Sequence, residues 1–267
     1  MILLGGILLL FDTHVHLNDE AFDDDIEEVI KRAQENDVTR MAVVGFNKET
    51  IDRALELAEK YDFISLIVGW HPTDAITFTD EDLEWLRDLA LTHPKVVALG
   101  EMGLDYHWDT SPKETQFEVF RKQIRLAKEV NLPIVIHNRE ATEDVVRILQ
   151  EEHAEEVGGI MHCFGETVEV MEACLAMNFY ISFGGTVTFK NAKLPKIAAQ
   201  AIPIDRLLIE TDAPYLAPTP NRGKRNEPGY VKLVAEKIAE LKEMKYSEIA
   251  THSTENAKRL FRIKDYL

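Results

Sequence analysis

Val96-Val97-Ala98-Leu99-Gly100-Glu101-Met102-Gly103-Leu104-Asp105 carries four apolar residues in succession into glycines and carboxylates. A run without polar alternation suits a parallel strand covered on both faces. A half-exposed antiparallel strand would place a polar residue at every second position. Pro133-Ile134-Val135-Ile136-His137 repeats the pattern. Working outward from these two, strands are expected over residues 8–12, 40–45, 63–69, 96–100, 133–137, 159–162, 180–183 and 207–211. Amphipathic spacing predicts helices between them, over 24–36, 48–61, 80–92, 113–131, 141–153, 167–178 and 193–201. Two more, over 228–244 and 247–261, follow the eighth strand.

Eight strands alternating with helices across ~250 residues is the arithmetic of a (β/α)8 TIM barrel, an α/β fold, here with an additional C-terminal helix. An open, doubly wound sheet would use the same alternation, so periodicity alone leaves both. No Gly/Ser-rich linker, low-complexity tract or charge block divides the chain, and residues 1–267 are expected to form one domain.

The 267 residues are 45% hydrophobic and 29% charged, a composition that supports a large core and excludes disordered, collagen-like and coiled-coil classes. The apolar stretch 2–11 is broken by Gly5-Gly6 and has no basic residue ahead of it, so it reads neither as a membrane span nor as a signal peptide. Met1–Gly6 reads as an extension that the fold does not require. Cys163 and Cys174 cannot build a disulfide framework, which points to a cytoplasmic protein. A net charge of −17 argues against a protein that coats nucleic acid through its overall field. It leaves room for an enzyme that grips a few phosphates locally, with metal ions supplying positive charge.

In barrels of this kind chemistry sits at the C-terminal ends of the strands. Those positions read Asp12-Thr13-His14-Val15-His16, Gly69-Trp70-His71-Pro72, Glu101 to Asp105, His137-Asn138-Arg139, His162-Cys163-Phe164 and Glu210-Thr211-Asp212. Five of the nine histidines fall in these few windows. His14 and His16, two apart on an extended segment, share a face. Imidazoles suit Zn, Mn, Fe or Ni, and carboxylates can bridge two cations. Glu101, His137, His162 and Asp212 offer the remaining donors from four other strands.

Other residues near these ends carry further expectations. His71 is placed to orient a phosphate or assist leaving-group protonation. Asp105 and Tyr106 follow Glu101 and are read as pocket lining or as support for a ligand. Cys163, next to a candidate ligand, is expected to point away toward the helices as a buried thiol. Trp70, Tyr106, Trp108 and Phe164 are candidates for base stacking or for pocket walls. Arg139, Arg222, Lys224 and Arg225 are the candidates for phosphate contact. His93, His107, His153 and His252 lie outside the pattern.

Taken in order, Phe11-Asp12-Thr13-His14-Val15-His16, Gly69-Trp70-His71-Pro72, Gly100-Glu101-Met102-Gly103-Leu104-Asp105-Tyr106, His162-Cys163-Phe164, Glu210-Thr211-Asp212-Ala213-Pro214-Tyr215-Leu216 and Arg222-Gly223-Lys224-Arg225-Asn226-Glu227-Pro228 resemble the TatD family of metal-dependent deoxyribonucleases, within the amidohydrolase-like metallohydrolases. The resemblance runs nearly the whole chain, to Asn256-Ala257. It implies a two-metal site in which Glu101 bridges, His14, His16 and Asp212 hold one ion, and His137 with His162 hold the other. A carbamylated lysine in place of Glu101 is not expected, because Lys95, the nearest lysine to the fourth strand, stands at its opposite end.

The expected function is therefore phosphodiester hydrolysis by a TatD-type deoxyribonuclease acting on DNA ends, single-stranded or frayed. The expected cofactors are two divalent cations (Zn, Mn, Mg, Ni or Fe). Asp212 is the general-base candidate, with Glu101 and His71 beside it in the catalytic set. Arg139, Arg222, Lys224, Arg225 and Tyr106 are the expected substrate contacts. No membrane and no obligate protein partner are expected. The alternative is a metal-dependent hydrolase of a small amide, ester or phosphoester metabolite. A non-catalytic binding role would leave the complete ligand set unexplained.

Overall fold

The computed structural model describes residues 9–264. The expected start of the first strand at Leu8 and the Met1–Gly6 extension lie outside the described residues. Among those residues, one parallel sheet runs in the order β1 (Leu10–Val15), β2 (Val38–Gly45), β3 (Ile64–Val68), β4 (Val96–Asp105), β5 (Ile134–Arg139), β6 (Gly159–Met161), β7 (Phe179–Phe183) and β8 (Leu207–Ile209). Each strand is followed by a helix: α1 (Ile26–Glu35), α2 (Lys48–Lys60), α3 (Asp80–Thr92), α4 (Lys113–Val130), α5 (Thr142–Glu151), α6 (Val168–Ala176), α7 (Lys193–Ala201) and α8 (Val231–Lys242). An extra helix, α9 (Tyr246–Leu260), ends the series. Helix starts follow local chemistry. Asn47 and Thr79 each accept from the backbone N–H three residues on, satisfying donors that the first turn cannot.

The sheet curls until β8 meets β1, which decides for the barrel against the open sheet. The Asp212 N–H donates to the His14 carbonyl at 2.9 Å, and the His16 N–H to the Ala213 carbonyl at 2.8 Å. The buried Asp12 carboxylate accepts from the Thr211 N–H at 2.9 Å, and the Thr13 hydroxyl donates to the Ile209 carbonyl at 2.9 Å. Phe11, Val44, Ile67, Ala98, Val135, Ile160, Tyr180 and Leu208 fill the barrel interior, one from each strand. Ala257 and Phe261 join that cluster, with the Phe261 ring 5.7 Å from Phe11, so α9 and the turn after it close one end of the barrel. The other end is left for chemistry.

Three strands run further than the apolar pattern suggests. β1 continues to Val15, β4 to Asp105 and β5 to Arg139, past the expected ends at Asp12, Gly100 and His137. The first two contain a register shift, between Asp12 and Val15 in β1 and between Gly100 and Met102 in β4. These shifts matter because strict alternation would put His14 on the opposite face from Phe11, three residues earlier. Gly103 permits the close approach of β4 to β5: its φ is +145°, and a Cβ there would lie 1.9 Å from the His137 carbonyl oxygen.

Candidate metal centre

At the open end, Glu101 stands buried among five imidazoles. Its two carboxylate oxygens face different pairs. Oε2 lies 3.2 Å from His14 Nε2 and 3.7 Å from His16 Nε2. Oε1 lies 2.8 Å from His137 Nδ1 and 2.9 Å from His162 Nε2, with His71 Nε2 at 3.6 Å. Asp212 Oδ1 completes the first group, 3.2 Å from His16 Nε2 and 3.6 Å from His14 Nε2. Alternation carries His137 and His162 inward, two residues beyond Val135 and Ile160, and Glu210 inward beyond Leu208. Asp212, past the end of β8 with φ +57°, is held at the mouth by its N–H bond to the His14 carbonyl. Six donors from five strand ends thus meet at the barrel mouth.

His137 and His162, the pair nearest Oε1, are each backed by a second carboxylate. His137 Nε2 is 2.8 Å from Asp105 Oδ2, and His162 Nδ1 is 3.1 Å from Glu210 Oε1. Asp105 is itself held by the N–H groups of His107 and Trp108 at 2.9 and 3.0 Å. His14 Nδ1 and His16 Nδ1, on the Oε2 side, are buried without a hydrogen-bond partner. The charges respond to this layout. Burial works against ionisation of Glu101, but the His162 and His14 rings outweigh it and hold the carboxyl well below the usual range. Burial likewise opposes protonation of His162, and Glu101 with Glu210 reverses it, raising that ring well above an ordinary histidine. His71 has no such backing, and burial beside His137 lowers it to about 3.

This chemistry fits divalent cations. Glu101, Asp105, Glu210 and Asp212 share a small volume, yet among the described residues none pairs with Lys or Arg. Buried carboxylates without cationic partners are costly, so positive charge has to come from protons on the rings or from metal ions. His14 Nε2 and His16 Nε2 face each other at 3.3 Å, a separation that requires a proton or a shared cation between two lone pairs. Donor sets on both sides of Glu101 lie within metal-binding reach, His14–His16–Glu101 and Glu101–His137–His162.

The surrounding cavity is about 770 Å3; His16, Glu101, His137, His162 and Asp212 line it, with Phe46, Thr73, Trp108, Asn138, Arg139 and Tyr215 among others. The structure brings all six expected metal donors and His71 together. Arg139 lies on the cavity wall, 5.7 Å from the Trp108 ring. Lys95 stays at the far end of β4, donating to the Tyr61 carbonyl at 2.9 Å.

Several expected contacts are elsewhere. Tyr106 turns outward to Asp144 with Lys113 over its ring, because it follows the last residue of β4 and takes the helix-facing side. Arg225 forms a two-pronged ion pair with Asp25, both distances 2.7 Å, and its guanidinium lies over Phe22, which occupies it in joining the loop to the base of α1. Arg222 and Lys224 are exposed beyond the cavity wall. Trp70 and Phe164 are buried, leaving Trp108, 54% exposed, as the expected aromatic that opens to the cavity. Cys163 corrects an expectation: it lines the cavity instead of turning to the helices. β6 ends at Met161, and Cys163 adopts φ +46°, so strand alternation no longer governs its direction.

Sequence reasoning assigns Glu210 no role. Its signal was available, since it lies two residues beyond Leu208 on the inward face. Phe46 and Tyr215, in loops after β2 and β8, had no comparable pattern to expose them.

Comparison with known proteins places the chain among metal-dependent hydrolases. The family model for TatD related DNase matches residues 11–262. YabD, an uncharacterized metal-dependent hydrolase of Bacillus subtilis (strain 168), is 67% identical over 255 residues, spanning 96% of this chain and 100% of its own. The 3'-5' ssDNA/RNA exonuclease TatD of Pantoea vagans is 36% identical over 260 residues, spanning 95% of this chain and 100% of its own. The crystal structure of YJJV, a TatD homolog from Escherichia coli K12, superposes with a TM-score of 0.91 at 30% identity, covering 97% and 100% of the two chains. Among the described residues no helix is long and apolar enough to cross a membrane. A barrel with these donors at its mouth, matched along nearly its whole length, belongs to the TatD family of metal-dependent hydrolases.

Proposed function

We propose that this centre hydrolyses phosphodiesters at nucleic acid ends, DNA in the first instance, with two divalent cations divided by Glu101. One observation carries the reading: the two oxygens of Glu101 address two separate imidazole pairs. His14, His16 and Asp212 would hold one ion and His137 with His162 the other. Bound there, the cations would orient one phosphate, activate water and offset the charge that develops on the attacking and leaving oxygens.

The chain's own groups supply the rest. Asp212, at the cavity edge, accepts the proton from the attacking water. His71 Nδ1 accepts from the Thr73 N–H at 3.2 Å and lies 2.6 Å from the Thr73 hydroxyl; with that hydroxyl donating as well, the His71 proton sits on Nε2, toward the cavity. His71 thereby offers a neutral donor to a phosphate oxygen, and its lowered basicity makes a role as cationic acid unsuitable. Asp105 and Glu210 fix the orientation of His137 and His162. Arg139 on the wall offers the charge for an adjacent phosphate. The relative from Pantoea vagans, named for activity on ssDNA and RNA, supports a nucleic acid substrate.

The test is metal-repleted protein incubated with end-labelled single-stranded and duplex DNA, with product ladders followed over time. Stepwise shortening of the single strand from one end is expected. Turnover of lactone or dihydroorotate-like substrates with intact oligonucleotides would replace this reading by that of a small-metabolite hydrolase.

A further inference from the structure

Acidic residues are spread along this chain, 47 of them in 267, and its two longest stretches without one are residues 173–204 and 213–226. These two hold six Lys and Arg. The fold brings them together at one side of the cavity. The Thr219 N–H donates to the Thr188 hydroxyl at 2.8 Å, joining the loop after β8 to the loop after β7. Gly185 lies so close to the Leu216 carbonyl that a Cβ there would sit 2.1 Å from its oxygen. The Arg222 guanidinium rests 3.7 Å from the centre of the Phe189 ring.

Two of the six cations are otherwise engaged. Lys196 donates to the Phe189 and Lys190 carbonyls, and Arg225 is paired with Asp25. Lys190, Lys193, Arg222 and Lys224 are exposed, and among the described residues none of the four forms an ion pair. Elsewhere on this surface cations are commonly matched by carboxylates, as Lys48 is by Asp52 and Lys122 by Asp80. Exposed apolar side chains gather in the same two stretches: Leu194, Ile197, Tyr215 and Leu216. Tyr215 and Leu216 also line the cavity, so the basic sector is continuous with the centre.

We propose that this sector is a track for a single-stranded nucleic acid, receiving the backbone several nucleotides away from the phosphate held in the cavity. The inference rests on the phosphodiesterase reading for what lies in the cavity, and adds the path and minimum length of the substrate. Four unpaired cations on a chain of −17 form a local positive field that a polyanion would find and a neutral metabolite would not. Interleaved apolar and aromatic groups suit unpaired bases, whose faces are available for stacking, more than a duplex that offers only phosphates and groove edges. An anionic membrane would also meet cations mixed with apolar groups, but the continuity with the cavity through Tyr215 and Leu216 favours a strand that enters the centre.

Two variants test this: Lys190→Glu with Lys193→Glu, and a neutral form carrying Lys190→Gln, Lys193→Gln, Arg222→Gln and Lys224→Gln. Binding is read by fluorescence anisotropy with metal-loaded protein and a labelled phosphorothioate decathymidylate. Cleavage is read in parallel on a plain decathymidylate and on a dinucleotide. The track predicts about a tenfold or greater weakening of decamer binding. It also predicts a salt dependence reduced by about 0.7 in logarithmic slope for each phosphate no longer neutralised. Dinucleotide cleavage should be unchanged.

Unchanged decamer affinity in both variants, or no decamer binding by the wild type, overturns the track. So does decamer binding that survives in the variants while binding to phosphatidylserine vesicles is lost, which would assign the sector to a membrane. The two readings fail separately. A decamer that binds through these residues but is never cut removes the phosphodiesterase and leaves the track. Normal cutting with unaltered binding in the variants removes only the track.

Discussion

Glu210 Oε1 lies 3.1 Å from His162 Nδ1 and also accepts the Cys163 N–H at 2.8 Å, so one buried carboxylate orients the ring and pins the backbone that follows it. With a cation bound and the Nδ1 proton directed at Glu210, His162 Nε2 would give up its proton and offer its lone pair to the ion. Carboxylate support of this kind raises the basicity of a ligating imidazole and fixes its tautomer.

Glu210→Gln should therefore weaken cation binding about tenfold, within the usual range for loss of such support. Chelator competition would measure it. The substitution keeps the volume, so thermal stability in excess metal should stay close to wild type. Unchanged affinity would mean that Glu210 merely fills space beneath the ring.

Glu101→Gln should act more severely. The amide keeps one acceptor oxygen and replaces the other by an NH2 group that cannot face a cation. Equilibrium dialysis with metal analysis should show at most one tightly held ion per chain and loss of phosphodiester hydrolysis. Two ions retained at wild-type affinity would refute the division of the centre by this carboxylate.

Much of the centre was legible because β5 and β6 lead into alternation: Val135 to His137 and Ile160 to His162 each keep one face, while Asp212 is legible through its place just past the end of β8. β1 and β4 do not alternate, since register shifts intervene before His14 and Glu101. Those two are identifiable through their place at strand ends, not through parity. The substrate side was less legible. Tyr106 and Arg225 are the right residue types beside the right motifs, but their directions depend on Asp144 and Asp25, partners distant in sequence. Cys163 defies the strand pattern because its strand stops at Met161, two residues before it, and its φ of +46° breaks the alternation.

A pH-dependent tie lies away from the centre, between α4 and the end of α5. Glu152 accepts from Arg121 Nη1 and from Arg125 Nε and Nη2, all at 2.8 Å. The Arg125 bond leads in holding its carboxyl below the usual range, against some burial, with Arg121 adding to it. A lowered carboxyl stabilises the fold above its unfolded pKa, and that contribution is lost as pH falls through the folded value. Glu152→Gln should cost about 1.5–3 kcal/mol at pH 7, the range for hydrogen bonds to charged groups. Chemical denaturation should show the gap between the two proteins closing below the carboxylate range, toward pH 3. A gap that stayed constant with pH would assign the loss to packing.

Trp108 is the aromatic residue best placed to read the substrate. It is 54% exposed on the cavity wall, its ring edge-on to His107 at 4.8 Å and 5.7 Å from the Arg139 guanidinium. A broad apolar face beside a cation offers a base a surface to stack on while its phosphate meets the guanidinium. Stacking of one base is worth about 1–3 kcal/mol by alanine substitution, so Trp108→Ala should raise KM for a single-stranded oligonucleotide roughly tenfold or more. Its kcat should change little, because the metal donors do not touch this ring. Bis-p-nitrophenyl phosphate has no nucleobase, so its turnover should fall far less. Equal losses on both substrates would make Trp108 a wall that shapes the centre, and the base would have to be held by Tyr215 or Phe46 instead.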